Sequence, residues 1–167
     1  MSEFEVVTDD APLAVPGLSS LAELAEARRA AYAANKSETF DVPGFGGQIK
    51  ARYRLLTYRE RRQMVSRIGS ENLPTEVDRD LSLFADTLIN ACESVVRVNP
   101  DGSTTDLGRW DPRLAEQFGY SHCENARQAV FAILEIEDAV VDHHYDYHMW
   151  ADSVSSGLDK DEADFFG

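Results

Sequence analysis

The amino-acid sequence predicts a mainly α domain of the α+β class, a small helical domain with one or two β-hairpins. Apolar residues recur every three or four positions over residues 77–92, which is typical of an amphipathic helix. Runs of strand-forming residues flank Gly/Pro-rich turns at residues 43–47 and 99–102, which indicates hairpins. A length of 167 residues with 43% hydrophobic side chains is sufficient for one compact domain.

Composition along the chain predicts four regions. Residues 1–17 are acidic and contain Pro and Gly, which favours a disordered N-terminus. An N-terminal helix is predicted over residues 18–36, where Ser20 and Glu23 form a capping box. Residues 37–151 form the predicted helical core domain with its hairpins, and residues 152–167 are predicted to be a flexible acidic tail.

The first hairpin is predicted from residues 39–42 and 48–54 around the turn PGFGG. Its second strand alternates apolar and cationic side chains: Ile49, Lys50, Ala51, Arg52, Tyr53, Arg54 and Leu55. One face of this strand is therefore apolar and the other basic. We expect the basic residues to lie in solvent or against an acidic surface, of this chain or of a partner.

Helix start signals follow the hairpin. Thr57 and Glu60 form a capping box before a short helix, and Pro74 suits the first position of a longer one. The longer helix carries the clearest apolar stripe of the chain, expected at the centre of the core. Its members are Val77, Leu81, Phe84, Leu88, Ile89 and Cys92.

The second half of the chain predicts another hairpin and three helices. Residues 95–98 and 104–105 flank the turn NPDG, and Asp111-Pro112 supplies an N-cap and first helical residue. A third capping box over residues 121–124 precedes the next helix. The last helix is predicted from Asp138 to about Trp150, ending in the Ser/Gly-rich residues 153–157.

Charge and composition exclude several function classes. The net charge of −14 opposes binding to nucleic acid or to anionic membranes, both of which require a cationic surface. No apolar run is long enough to span a bilayer, and the first residues lack the order of a signal peptide. Cys92 and Cys123 are too few for a disulfide scaffold. These observations predict a soluble intracellular protein.

The best candidates for chemistry are two histidines in the run DHHYDYH. On a helix, His144 and His148 lie one turn apart, a spacing at which two imidazoles can share a metal. However, Tyr145 occupies the position where a zinc hydrolase of the HExxH kind has its glutamate, and no third ligand is identifiable. We therefore predict packed or solvated histidines, with no catalytic residues, no metal site and no cofactor.

The order of several segments resembles the tail assembly chaperones of long-tailed siphophages that infect actinobacteria. The similar segments cover about residues 38–151 and carry hydrophobic spacing and turns rather than a catalytic motif. They are the hairpin with its following residues 40–57, the helix residues 83–93, a Val-rich strand and turn, and residues 129–134 leading into 138–141. The N-terminal helix and the histidine run depart from this pattern.

The resemblance implies a non-enzymatic chaperone in the host cytoplasm that binds the phage tape measure protein and keeps it soluble. The tail tube protein and a longer, frameshifted form of this chain are further candidate partners. The candidate contact residues are Leu21, Leu24, Tyr32, Phe165 and Phe166. Two other functions stay open: a virion structural protein, such as a head–tail adaptor or tail-completion protein, and a small metal-dependent hydrolase using His144 and His148.

Overall fold

The computed structural model describes residues 20–34 and 36–166, with side chains as far as residue 156. The predicted disordered N-terminus, residues 1–17, lies outside the described residues, as do the first two residues of the predicted N-terminal helix. The chain divides into two compact units. The larger runs from Ser37 to Ala151, and the described part of the other contains the first helix and the end of the last one.

The α+β class is confirmed, with six helices and a four-stranded antiparallel sheet in the described residues. The helices are α1 Leu21–Ala34, α2 Tyr58–Ser70, α3 Glu76–Ala91, α4 Pro112–Gln117, α5 Ala126–Leu134 and α6 Glu137–Phe166. The strands are β1 Ser37–Asp41, β2 Ile49–Arg54, β3 Cys92–Val98 and β4 Thr104–Gly108.

Both predicted hairpins form, and they belong to one sheet of order β1-β2-β3-β4. The link is the antiparallel pairing of β2 with β3, in which Ala51 lies opposite Val95. The buried face of the sheet contributes Ile49, Ala51, Tyr53 and Val95 to a single hydrophobic core shared with helix residues such as Leu88.

The basic face of β2 is paired with carboxylates of the same chain. Lys50 forms an ion pair with Asp41, and the guanidinium of Arg54 donates hydrogen bonds to the Glu60 carboxylate at 2.9 and 3.1 Å. Arg52 Nε lies 3.3 Å from Glu93 Oε1, close enough for charge attraction but not aligned for a hydrogen bond. The strand therefore lies against acidic groups of its own chain.

Local capping signals were correct at three helices. At α1 the Ser20 hydroxyl accepts from the Glu23 backbone at 3.1 Å, which is one half of the predicted capping box. The Thr57 hydroxyl accepts from the Glu60 backbone while the Glu60 carboxylate accepts from the Thr57 backbone, which completes the predicted capping box of α2. Asp111 caps α4, and Pro112 is its first residue. These interactions need only residues three positions apart.

Two predicted helix starts were wrong. Helix α3 begins at Glu76 because the Thr75 hydroxyl caps it, so Pro74 precedes the helix and Val77 is exposed in the first turn. Helix α5 is capped by Asn125, whose side chain accepts from the Gln128 backbone, instead of by the box over residues 121–124. In both helices the N-cap is a residue closer to the packed segment than the predicted helix start.

The last helix is longer than predicted. Helix α6 continues through the Ser/Gly-rich residues 153–157, and its backbone is helical as far as Phe166. The predicted end near Trp150 was therefore wrong, whereas the flexibility of the acidic tail over residues 152–167 stays a prediction. Serine and glycine cost a helix only about 0.5–1 kcal/mol each relative to alanine, and no proline interrupts this segment.

Candidate functional site

The two histidines that suggested a metal site stack as aromatic rings. The rings of His144 and His148 lie 5.9 Å apart and nearly parallel, and His144 also stacks on Phe84 of α3 with ring centroids 4.2 Å apart. Burial, assisted by the charge of His148, lowers the pKa of His144 to about 4. Among the side chains of residues 20–34 and 36–156, no three His, Cys, Asp or Glu are placed to hold a metal ion. His144 therefore packs between α6 and α3, and His148 lies exposed beside it.

A third histidine of the run lies at the centre of the core. The Trp110 indole Nε1–H donates to the Tyr53 hydroxyl at 2.9 Å, and that hydroxyl lies 2.7 Å from His143 Nε2. All three side chains are fully buried, so no substrate can reach them. Burial, assisted by the charge of His144, lowers the pKa of His143 to about 4. This network supports the fold rather than a reaction.

An exposed apolar row lies on α6. Val141, Tyr145 and Met149 follow one another at intervals of four residues, which places them on one side of the helix. Their exposed fractions are 39%, 57% and 48%. The exposed carboxylates of Asp142 and Asp146 lie next to them in the sequence. This arrangement, called the α6 row below, is an apolar strip bordered by negative charge.

The α6 row was missed in the sequence analysis. The opposite side of the helix buries Val140, His143 and Tyr147, so the segment is apolar on two sides. The sequence does contain a signal for it, because two series of residues with three- or four-residue spacing overlap within residues 140–149. A helix packed on one side needs only one of them.

Helix α1 carries three of the predicted contact residues. Leu21, Leu24 and Tyr32 are all exposed, with Leu21 at 84%, and no residue of this helix is buried. An isolated helix of 14 residues is marginally stable in water. The other two predicted contact residues, Phe165 and Phe166, have side chains outside those that the structure describes. Binding by any of the five stays a prediction.

No protein-family model, curated protein or solved structure matches this chain. Within the described residues, no helix combines the length and apolar character needed to cross a membrane.

Proposed function

We propose that this protein is a phage tail assembly chaperone that binds the tape measure protein stoichiometrically and keeps it soluble in the host cytoplasm. It makes and breaks no covalent bond in this role. The class of partner comes from the resemblance over residues 38–151, and the mode of binding comes from the surface of the structure.

The α6 row is the observation that carries the proposal. A tape measure protein is a long helical chain with exposed apolar faces, and helices associate by fitting such faces together. Val141, Tyr145 and Met149 offer a matching row on a helix already held in the core through His143 and Tyr147. A partner helix laid along this row would bury its own apolar residues on a rigid support.

Helix α1 supports the proposal as a second contact element. Its exposed Leu21, Leu24 and Tyr32 give it an apolar side, although it buries none of its residues. Packing against a partner helix would supply the burial from which most helical stability in proteins arises.

Charge determines which partner segments fit. Asp142 and Asp146 are exposed beside the α6 row, and the chain as a whole carries a net charge of −14. Basic residues flanking an apolar helix face would therefore strengthen binding, and added salt would weaken it. The same excess charge keeps a complex with an apolar partner soluble.

Co-expression with the tape measure protein tests the proposal. The full chain should raise the soluble fraction of the tape measure protein and co-purify with it, whereas the double variant Tyr145→Asp, Met149→Asp should lose both effects. The matched control is Tyr58→Asp, Val65→Asp, which places the same charges on exposed positions of α2. Circular dichroism melting should show both variants folded.

Two results would contradict the proposal. The α6 double variant could retain wild-type capture of the tape measure protein, which would remove the α6 row from the mechanism. Alternatively, the chain could occur at stoichiometric levels in purified virions, which would favour a structural role such as a head–tail adaptor. A chaperone is expected in infected lysate and absent from the virion.

A further inference from the structure

A second surface feature lies at the end of the sheet, away from the residues used above. A cleft of about 580 Å³ opens between the β1–β2 turn and the end of α4. Its apolar wall includes Phe45 and Phe118, whose ring centroids are 5.3 Å apart, together with Ile49 and Leu107. Clefts of this size with apolar walls commonly bind small molecules or peptide side chains.

Arg97 supplies a positive charge to this cleft. The β2–β3 register places it directly opposite the buried Ile49, hence on the apolar side of the sheet. Lys50, Arg52 and Arg54, the other cations of the strands, each have a carboxylate within 4 Å. Within the part of the chain that the structure describes, Arg97 has no such carboxylate.

The cleft therefore combines an aromatic wall with an unpaired guanidinium. A guanidinium binds a carboxylate through two parallel hydrogen bonds, and an aromatic wall favours an aromatic side chain beside that carboxylate. The chemistry that fits is a peptide segment in which carboxylates and phenylalanine are adjacent.

This chain contains such a segment. Residues 161–166 read DEADFF, with three carboxylates followed by the only adjacent pair of phenylalanines in the sequence. We propose that the cleft binds residues 161–166 of a second copy of this chain, with Arg97 pairing a carboxylate and Phe165 or Phe166 packing beside Phe118. This self-association does not depend on the proposed function, since neither the α6 row nor a tape measure protein takes part.

A peptide titration tests the contact directly. A fluorescent peptide of residues 158–167 is titrated with the full-length chain carrying Phe165→Ala and Phe166→Ala, so that its own segment does not compete, and anisotropy is measured. We expect saturable binding that Arg97→Gln weakens by roughly tenfold or more, since one charge-assisted pair is lost. The matched control, Arg79→Gln, changes an exposed arginine of α3 outside the cleft and should bind as the parent does.

Changes in the peptide keep the test independent of protein folding. Replacing its three carboxylates by lysine, or both phenylalanines by alanine, should abolish binding to the unchanged protein. Failure of the parent peptide to bind would overturn the proposal, as would equal binding to the Arg97→Gln and Arg79→Gln variants. Binding of a peptide of residues 1–10 in its place would overturn the choice of occupant.

Sedimentation of the full-length protein tests whether the bound segment, residues 161–166, comes from a second copy of the chain. Wild-type protein should self-associate as its concentration passes the Kd of the peptide, and Arg97→Gln should remain monomeric. A wild-type chain that stays monomeric well above that concentration would contradict binding between copies. A wild-type chain that self-associates but does not capture the tape measure protein would contradict only the proposed function.

Discussion

The hydroxyl of Tyr53 lies 2.7 Å from Nε2 of His143, 90 residues further along the chain. Trp110 Nε1 donates to the same hydroxyl at 2.9 Å. Because an indole N–H can only donate, the hydroxyl accepts from Trp110 and has its own proton available for His143. Burial lowers the pKa of His143 to about 4, so the imidazole is neutral near pH 7, and Nε2 accepts that proton in the tautomer with hydrogen on Nδ1. One buried hydroxyl therefore links β2, α6 and the segment before α4.

Replacing this hydroxyl should destabilise the protein. In Tyr53→Phe, Trp110 Nε1–H and His143 Nε2 would both lose their partner inside the core, which costs about 1–3 kcal/mol in the free energy of unfolding. Urea denaturation measures this loss. Tyr58→Phe is the control, since its ring is 70% exposed, and its midpoint should match wild type. Equal midpoints for the two variants would contradict the role of the network.

Stability should fall as the pH drops from about 6.5 to about 4. Burial lowers the pKa of His143 to about 4 from its ordinary 6.5, so in this window the unfolded chain takes up a proton that the folded chain does not. The free energy of unfolding should decrease by about 3 kcal/mol across the window for this residue. The pKa of His144 is lowered in the same direction and steepens the loss.

Urea denaturation at a series of pH values tests this dependence. His143→Gln removes the titrating group but keeps an acceptor for the Tyr53 hydroxyl, so its stability should vary less with pH than that of wild type. The hydrogen bond from Arg54 lowers the pKa of Glu60 to about 2 from its ordinary 4.5. Protonation of that carboxyl therefore reduces the free energy of unfolding only below about pH 4.5. Identical pH slopes for wild type and His143→Gln would contradict the assignment.

Removing Arg127 should weaken the packing of α5 on α3. Its guanidinium donates to the Asp86 carboxylate at 2.7 and 3.0 Å and to Glu71 at 2.8 and 3.0 Å. In Arg127→Gln the Asp86 carboxylate, only 14% exposed, would lose its charge partner, at a cost of about 1–3 kcal/mol. Thermal unfolding should show a melting temperature several degrees below that of the exposed-surface control Arg79→Gln. Equal melting temperatures would show that the ion pairs contribute nothing.

Two glycine substitutions should have opposite effects on stability. Gly102 has φ +86° in the β3–β4 turn, a left-handed conformation in which an L side chain is strained by about 1–2 kcal/mol. Gly69 lies in α2 with open space where a Cβ would stand. Gly102→Ala should therefore lower the denaturation midpoint. Gly69→Ala should raise the midpoint, with a gain of up to about 1 kcal/mol in the free energy of unfolding. Shifts of the same sign would contradict the backbone argument.

The candidate surface could be predicted only in part. The sequence indicated that α1 is a helix with a thin apolar side, and Leu21, Leu24 and Tyr32 are exposed on it. The α6 row escaped prediction because Val140 and Val141 are adjacent and both apolar, so the sequence does not show which of the two side chains is buried. Only the packing of Val140 against the core shows which of them is free.

Features that arise within a few residues could be predicted from the sequence. The hairpin turns, the capping box of Thr57 and Glu60, and the alternation of β2 depend on backbone hydrogen bonds and periodicity over short distances. Contacts between distant segments determine that β2 pairs with β3 and that His143 is buried while His148 is exposed. They also leave Arg97 without a carboxylate among the described side chains. The reason is physical: burial and pairing depend on contacts such as Tyr53 with His143, between residues far apart in the chain.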